Sequence, residues 1–173
     1  MKVLEEVPVK FPRLLAMVLI LAAGAAMAWP AGREIYPDPG EAKADIAHAL
    51  ATAASAHKRV LLDFGGNWCG DCQVLDIYLH NEQNAQLLAS NFVLVHVNVG
   101  QYDANLDLAK KYDIPLQKGV PAVAVLSAAG KLLYSQKSGE FESMRRMDPD
   151  AVTKFLVQWK AGKAGCSMMA TNC

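Results

Sequence analysis

The chain is 173 residues long, 53% hydrophobic and 20% charged, a composition that suits a folded globular protein and excludes a disordered one. Seventeen basic residues balance seventeen acidic ones. With no long Lys/Arg run in the chain, a surface built to grip a phosphate backbone is excluded, and no nucleic acid partner is expected.

Lys2, Lys10 and Arg13 precede an apolar run from Leu14 to Ala28 that ends Ala26-Met27-Ala28. A basic start, a short apolar stretch and a small-x-small ending predict a signal peptide over 1–28, cut before Trp29. The run is shorter than the roughly 20 residues that span a bilayer, so a retained membrane anchor is the lesser reading. The acidic pair Glu5-Glu6 and the long basic region depart from the usual pattern. Cleavage removes three basic and two acidic side chains from a neutral chain, leaving a net charge of about −1 on a periplasmic or otherwise exported protein.

Trp29 to Gly40 holds three prolines and two glycines and reads as an irregular leader (29–40) into a domain over 41–162. Glu41 to His57 is alanine-rich, with Ile46, Leu50 and Ala54 on one face, and predicts an amphipathic helix. Val60 to Phe64 is a short apolar strand ended by Gly65-Gly66. From Cys69 the period turns helical, with Val74, Leu75, Tyr78 and Leu79 recurring. A second helical stretch runs from Asn81 to Ser90, with Ala85, Leu88 and Ala89 facing inward. Phe92 to Val99 is the strongest strand in the chain. Ala104 to Tyr112 reads as a helix closed by Asp113-Ile114-Pro115, and Pro121 to Leu126 as an apolar strand. Ala129-Gly130 turns that strand into Lys131–Gln136. Asp148 caps a last helix, Pro149 to Lys160. Apolar strands alternating with helices predict an α/β fold, a central sheet covered on both faces.

The four cysteines are Cys69, Cys72, Cys166 and Cys173. Three pairings are possible, and proximity favours 69–72 with 166–173. Zinc needs four ligands at one point, and two pairs nearly a hundred residues apart match its usual spacings poorly, so no metal and no other cofactor is expected. A C-x-x-C at the junction of a strand and a helix places one thiol at the helix N-terminus, where unpaired N–H groups and the dipole stabilise a thiolate. Cys69 is expected to be exposed and nucleophilic, and Cys72 to be buried a turn further in. The alternative for such a pair is a structural disulfide or half a metal site.

Leu62-Asp63-Phe64-Gly65-Gly66-Asn67-Trp68-Cys69-Gly70-Asp71-Cys72 resembles the active-site segment of the thioredoxin family. Gly119-Val120-Pro121, some fifty residues later and opening a strand, resembles that family's cis-proline loop. The likeness covers roughly Val60 to Trp159. The helix–loop–helix from Cys72 to Ser90, followed by Phe92–Val99, is most similar to the C-terminal domains of bacterial membrane thiol:disulfide interchange proteins. The resemblance implies a thioredoxin fold with a mixed sheet. It also implies a thiol–disulfide oxidoreductase that acts on protein disulfides, with a membrane-bound thiol–disulfide partner as electron donor. By position it implies a cis Pro121 which, with Val120, presents backbone to an extended substrate. Asp63 corresponds to the buried acid that exchanges a proton with Cys72. Trp68 would cover the disulfide or merely pack there.

Gly70 and Asp71 lie between the cysteines and would tune the redox pair. Asp71 stands where many thioredoxins carry proline. A carboxylate in the first helical turn favours the helix by about 0.3–1 kcal/mol. It also opposes a thiolate at Cys69, which argues for a reductant over a strong oxidant. The tail 163–173 allows three readings: a disulfide tidying the end, an accessory redox pair, or Cys166 and Cys173 with Met168 and Met169 as soft Cu(I) ligands. His80 is expected to make a helix-end contact, and His96 to be packed or edge-facing. An oxidase, an isomerase, or a Cu(I)-handling or binding module are the competing functions.

Overall fold

The computed structural model of the protein describes residues 33–162. The predicted signal peptide, the start of the leader and the tail with Cys166 and Cys173 lie outside the described residues. Within them the order is α1 (Ala42–Ala56), β1 (Arg59–Gly65), α2 (Gly70–Leu79), α3 (Glu82–Asn91), β2 (Phe92–Asn98), α4 (Leu106–Lys111), β3 (Ala122–Leu126), β4 (Leu132–Ser135) and α5 (Asp150–Trp159). The four strands lie in the order β2-β1-β3-β4. β1 pairs parallel with β2 and antiparallel with β3, and β3 pairs antiparallel with β4. The parallel pair needs a crossover, which α2 and α3 supply, while the short turn after Leu126 suffices for the hairpin.

Strand alternation sorts the core into two layers. Val60, Leu62 and Phe64 of β1, with Val95 and Val97 of β2, pack with Ile46, Ala49 and Ala53 of α1. Leu61 and the β3 residues Val123 and Val125 pack with Leu75 and Leu79 of α2 and with Leu156 of α5. β1 is central and completely buried from Val60 to Gly65. It therefore carries Asp63 into the interior on the α2 face, and places Cys69 where that sheet ends and α2 begins.

Three local expectations shift. The buried stripe of α1 is Ala42, Ile46, Ala49 and Ala53, so Ala54 faces solvent. In α3 Ala89 is exposed and Asn84 is buried instead; its amide donates to the Tyr78 carbonyl at 2.8 Å and its side-chain oxygen accepts from Thr153 at 2.7 Å. Both helices pack small or polar residues closely, so a hydrophobicity pattern misjudges which face turns inward. The last helix begins at Asp150 with Pro149 at its N-cap, and Asp148, one residue earlier, accepts the Asp150 N–H at 3.0 Å.

Candidate active site

Cys69 and Cys72 are joined in a disulfide. Gly66 and Asn67 turn the chain out of β1, and the Cys69 N–H closes that turn on the Gly66 carbonyl at 3.0 Å. Cys69 is the N-cap of α2, and its Sγ accepts the Cys72 N–H at 3.1 Å. In the reduced protein a thiolate there gains both that donor and the positive end of the helix. Cys69 is 5% exposed and Cys72 is fully buried. Cys69 is thus the more accessible of the two, but it is far more enclosed than the exposed residue expected, because a loop lies over it.

That loop is Gly119-Val120-Pro121. The Val120–Pro121 peptide is cis, and the Val120 carbonyl oxygen stands 3.5 Å from Cys69 Sγ. Gly119 has φ +108°, a conformation that side chains rarely adopt, and it sets the loop's approach to the sulfur.

Beneath the disulfide, Asp63 is fully buried. Its Oδ2 accepts the Tyr36 hydroxyl at 2.6 Å and faces His96 Nδ1 at 2.9 Å, while no group among the described residues bonds Oδ1. His96 is the direct register partner of Asp63 on β2. Its Nε2 lies 3.7 Å from Asp76 Oδ1, and Asp76 in turn binds Arg33 at 2.6 Å. Burial pulls the His96 pKa down, but the hydrogen bond and charge of Asp63, with the charge of Asp76, outweigh it and leave the imidazole above its ordinary value. Burial and the Asp63 carboxylate push the Tyr36 phenol well above its ordinary value, so it stays a neutral donor.

Asp71 takes part in a different pair. Its Oδ1 accepts the Arg145 backbone N–H at 2.9 Å, and its Oδ2 accepts Arg145 Nε at 3.1 Å and Nη2 at 2.8 Å. The guanidinium hydrogen bond holds this carboxyl below its usual range. The charge of Asp71 is therefore opposed by a cation that lies 74 residues away in sequence.

A model of thioredoxin-like proteins matches residues 41–128. The crystal structure of a disulphide isomerase from Xylella fastidiosa Temecula1 is 38% identical, covers 73% of this chain and 96% of its own, and superposes with a TM-score of 0.69. The chain belongs to the thioredoxin-like family. It is a thiol–disulfide oxidoreductase with a thioredoxin fold. A thioredoxin from Thermus thermophilus shares that fold at 23% identity and TM-score 0.50, covering 80% of this chain and 96% of its own. The C-terminal domain of DsbD from Neisseria meningitidis, in the reduced form, is a more distant neighbour, at 23% identity and TM-score 0.49, covering 67% and 95% of the two chains. No curated protein sequence matches significantly.

In this thioredoxin-like protein the leader is part of the site. Asn67 Oδ1 accepts the N–H groups of Ile35 and Tyr36, and its amide donates to the Tyr36 carbonyl, each at 2.9 Å. Asn98 and Asn105 hold the carbonyls of Pro37 and Pro39 in the same way. Tyr36 ends up 3% exposed, its ring edge-on to His96 with centroids 5.0 Å apart. A Cβ on Gly65 would collide with both the Tyr36 hydroxyl and Cys72 Sγ, so only glycine lets them meet there.

Trp68 donates to the Gly100 carbonyl at 2.6 Å, tilts against Tyr102 and stays 45% exposed. His80 makes the expected helix-end contact, its Nδ1 lying 3.0 Å from the Asp76 carbonyl. Sequence reasoning missed Tyr36, Asn67, Asp76, Arg145 and the role of His96. For His96 a signal existed, since a lone titratable residue in an apolar strand that pairs with the Asp63 strand faces the same interior. Arg33 and Tyr36 sit in an aperiodic segment, which offers none. Among the described residues no cluster of three or more His, Cys, Asp or Glu could hold a metal ion, and the tail cysteines lie outside them.

Proposed function

We propose that the protein is exported and reduces protein disulfides through a Cys69–Cys72 cycle, drawing electrons from a membrane-bound thiol–disulfide partner. The observation that carries the reading is the Cys69 sulfur, capping α2 and facing the Val120 carbonyl beside a cis proline. The Cys69 thiolate attacks a substrate sulfur, and one substrate thiolate leaves. Cys72 gives its proton to Asp63 and attacks Cys69 Sγ; the bond from Cys69 to substrate breaks, and the second substrate sulfur departs as a thiolate. Substrate is oxidant and the dithiol is reductant, so the electrons balance. Val120 and Pro121 present backbone to the substrate, and Trp68 and Tyr102 offer it an aromatic flank.

Export is supported by the basic and apolar character of 1–28. Among the described residues no helix is long and apolar enough to cross a membrane. The reducing direction is supported by Asp71 beside Cys69, an argument that the Arg145 pairing weakens. A second reading, disulfide isomerase, is favoured by the 38% identical structure that carries that name.

Equilibration of the protein without 1–28 against glutathione and dithiothreitol measures its potential, with Cys69→Ser as control. A potential well below the glutathione couple and insulin reduction lost in the control are the expected results. A potential near that of oxidants, with recovery of a scrambled disulfide protein, would establish the isomerase.

A further inference from the structure

Asp63 is a completely buried carboxylate, and its two oxygens differ. Oδ2 carries both contacts, to the Tyr36 hydroxyl and to His96 Nδ1, while Oδ1 carries none among the described residues. The Tyr36 hydroxyl and Cys72 Sγ each lie within 2.7 Å of the point where a Gly65 Cβ would sit, so at most about 5.4 Å, twice that distance, separates them. The Tyr36 arm of the clamp therefore stands within about 5.4 Å of the sulfur whose proton must move.

We propose that Tyr36 and His96 are positioning residues for the redox reaction: they anchor Asp63 through Oδ2 and reserve Oδ1 as the oxygen that takes the Cys72 proton. The inference rests on the redox reading above. In the resolving step the Cys72 proton passes to Oδ1, the electron pair left on sulfur forms the bond to Cys69, and the bond from Cys69 to the substrate sulfur breaks, releasing the substrate thiolate. On re-reduction a thiolate of the thiol–disulfide partner attacks Cys69, the Cys69–Cys72 bond breaks, and the proton on Oδ1 returns to Cys72; the partner's second thiolate then frees Cys69, leaving the partner oxidised. Both anchors favour the charged carboxylate, Tyr36 by a hydrogen bond and His96 by a hydrogen bond and a positive charge. They hold the carboxyl by one oxygen and leave Oδ1 without a competing partner among the described residues.

The surroundings of the clamp are mixed. From α2 it is faced by Asp76, which also holds His80 and Arg33. From α1, Asp45 and His48 line with His96 a cavity of about 220 Å³. From β3, the neighbour of Asp63 is the apolar Val123. Asp76 reinforces the charge on His96 and cannot replace it on Asp63, since it carries the same sign.

The test uses the reduced protein and an aromatic disulfide that releases a coloured thiolate. Attack by Cys69 releases the first thiolate, and resolution by Cys72 releases the second. Both phases are followed against pH in the wild type, in Tyr36→Phe, which keeps the ring, and in His96→Gln, which keeps a donor and removes the charge. The expected result is an unchanged first phase in all three proteins. The acid limb of the second phase moves up by about one pH unit in each variant, a tenfold slower resolution on that limb. A merely structural role would alter stability and leave this limb in place. Second phases that superimpose on the wild type overturn the proposal while leaving the redox reading intact. A wild type lacking the first phase overturns both. If Tyr36→Phe does not fold, His96→Gln decides alone.

Discussion

Replacing Asn67 by alanine is expected to loosen the segment that carries Tyr36. The side chain makes three hydrogen bonds to the backbone of this strap, the leader residues 33–40, at 2.9 Å each, and a fourth to the Glu34 carboxylate at 3.2 Å. The fourth is exposed and contributes little. Each of the other three adds about 0.5–1.5 kcal/mol net, and the part-exposed strap lets water recover some of that, so the loss is about 2–3 kcal/mol. For a domain of this size that is a fall in Tm of about 8–12 °C. Asn67→Asp keeps the acceptor for the Ile35 and Tyr36 N–H groups, loses the donor to the Tyr36 carbonyl and repels Glu34. It is expected to fall between the wild type and alanine. Urea unfolding measures both, provided the slope is unchanged so that midpoints report stability. A loss below about 0.5 kcal/mol for Asn67→Ala would refute the idea that Asn67 holds the strap down.

Two further outcomes follow from charge. Arg145→Gln removes the guanidinium paired with the Asp71 carboxylate in the first turn of α2, so the Cys69 thiolate is expected to form at higher pH and the potential to become more negative; Asp71→Asn is expected to move both the other way. Thiolate absorbance across a pH titration checks this, and coincident curves for the two variants would count against it. His96 is raised in the folded protein, so its contribution is fully present below the unfolded value of about 6.5 and is lost as pH rises through the folded value. Urea midpoints are therefore expected to fall on the alkaline side, and His96→Gln to flatten that fall; a variant curve parallel to the wild type would show that His96 does not cause it.

Much of this molecule was legible because its signals are local. An apolar run bounded by Gly65-Gly66 is a strand whatever surrounds it, and a cysteine at the start of a helical period becomes an N-cap because the helix itself leaves N–H groups free. The same holds for Asp148 ahead of α5 and for the glycine turn between β3 and β4. Periodicity failed where packing is close, at Ala54 and Ala89, because alanine does not declare which way it faces.

What the tertiary structure alone decided is the surroundings of the two cysteines. Asp63 meets His96 only once β1 and β2 pair in parallel register, and it meets Tyr36 only because Asn67 ties the leader across the site. Asp71 meets Arg145 across 74 residues of chain. The amino-acid sequence by itself determined the sulfur chemistry and the elements that hold it, since those depend on neighbours along the chain. The groups that surround the two cysteines come from distant segments, and their charges act over a few ångströms of space that no spacing in sequence records.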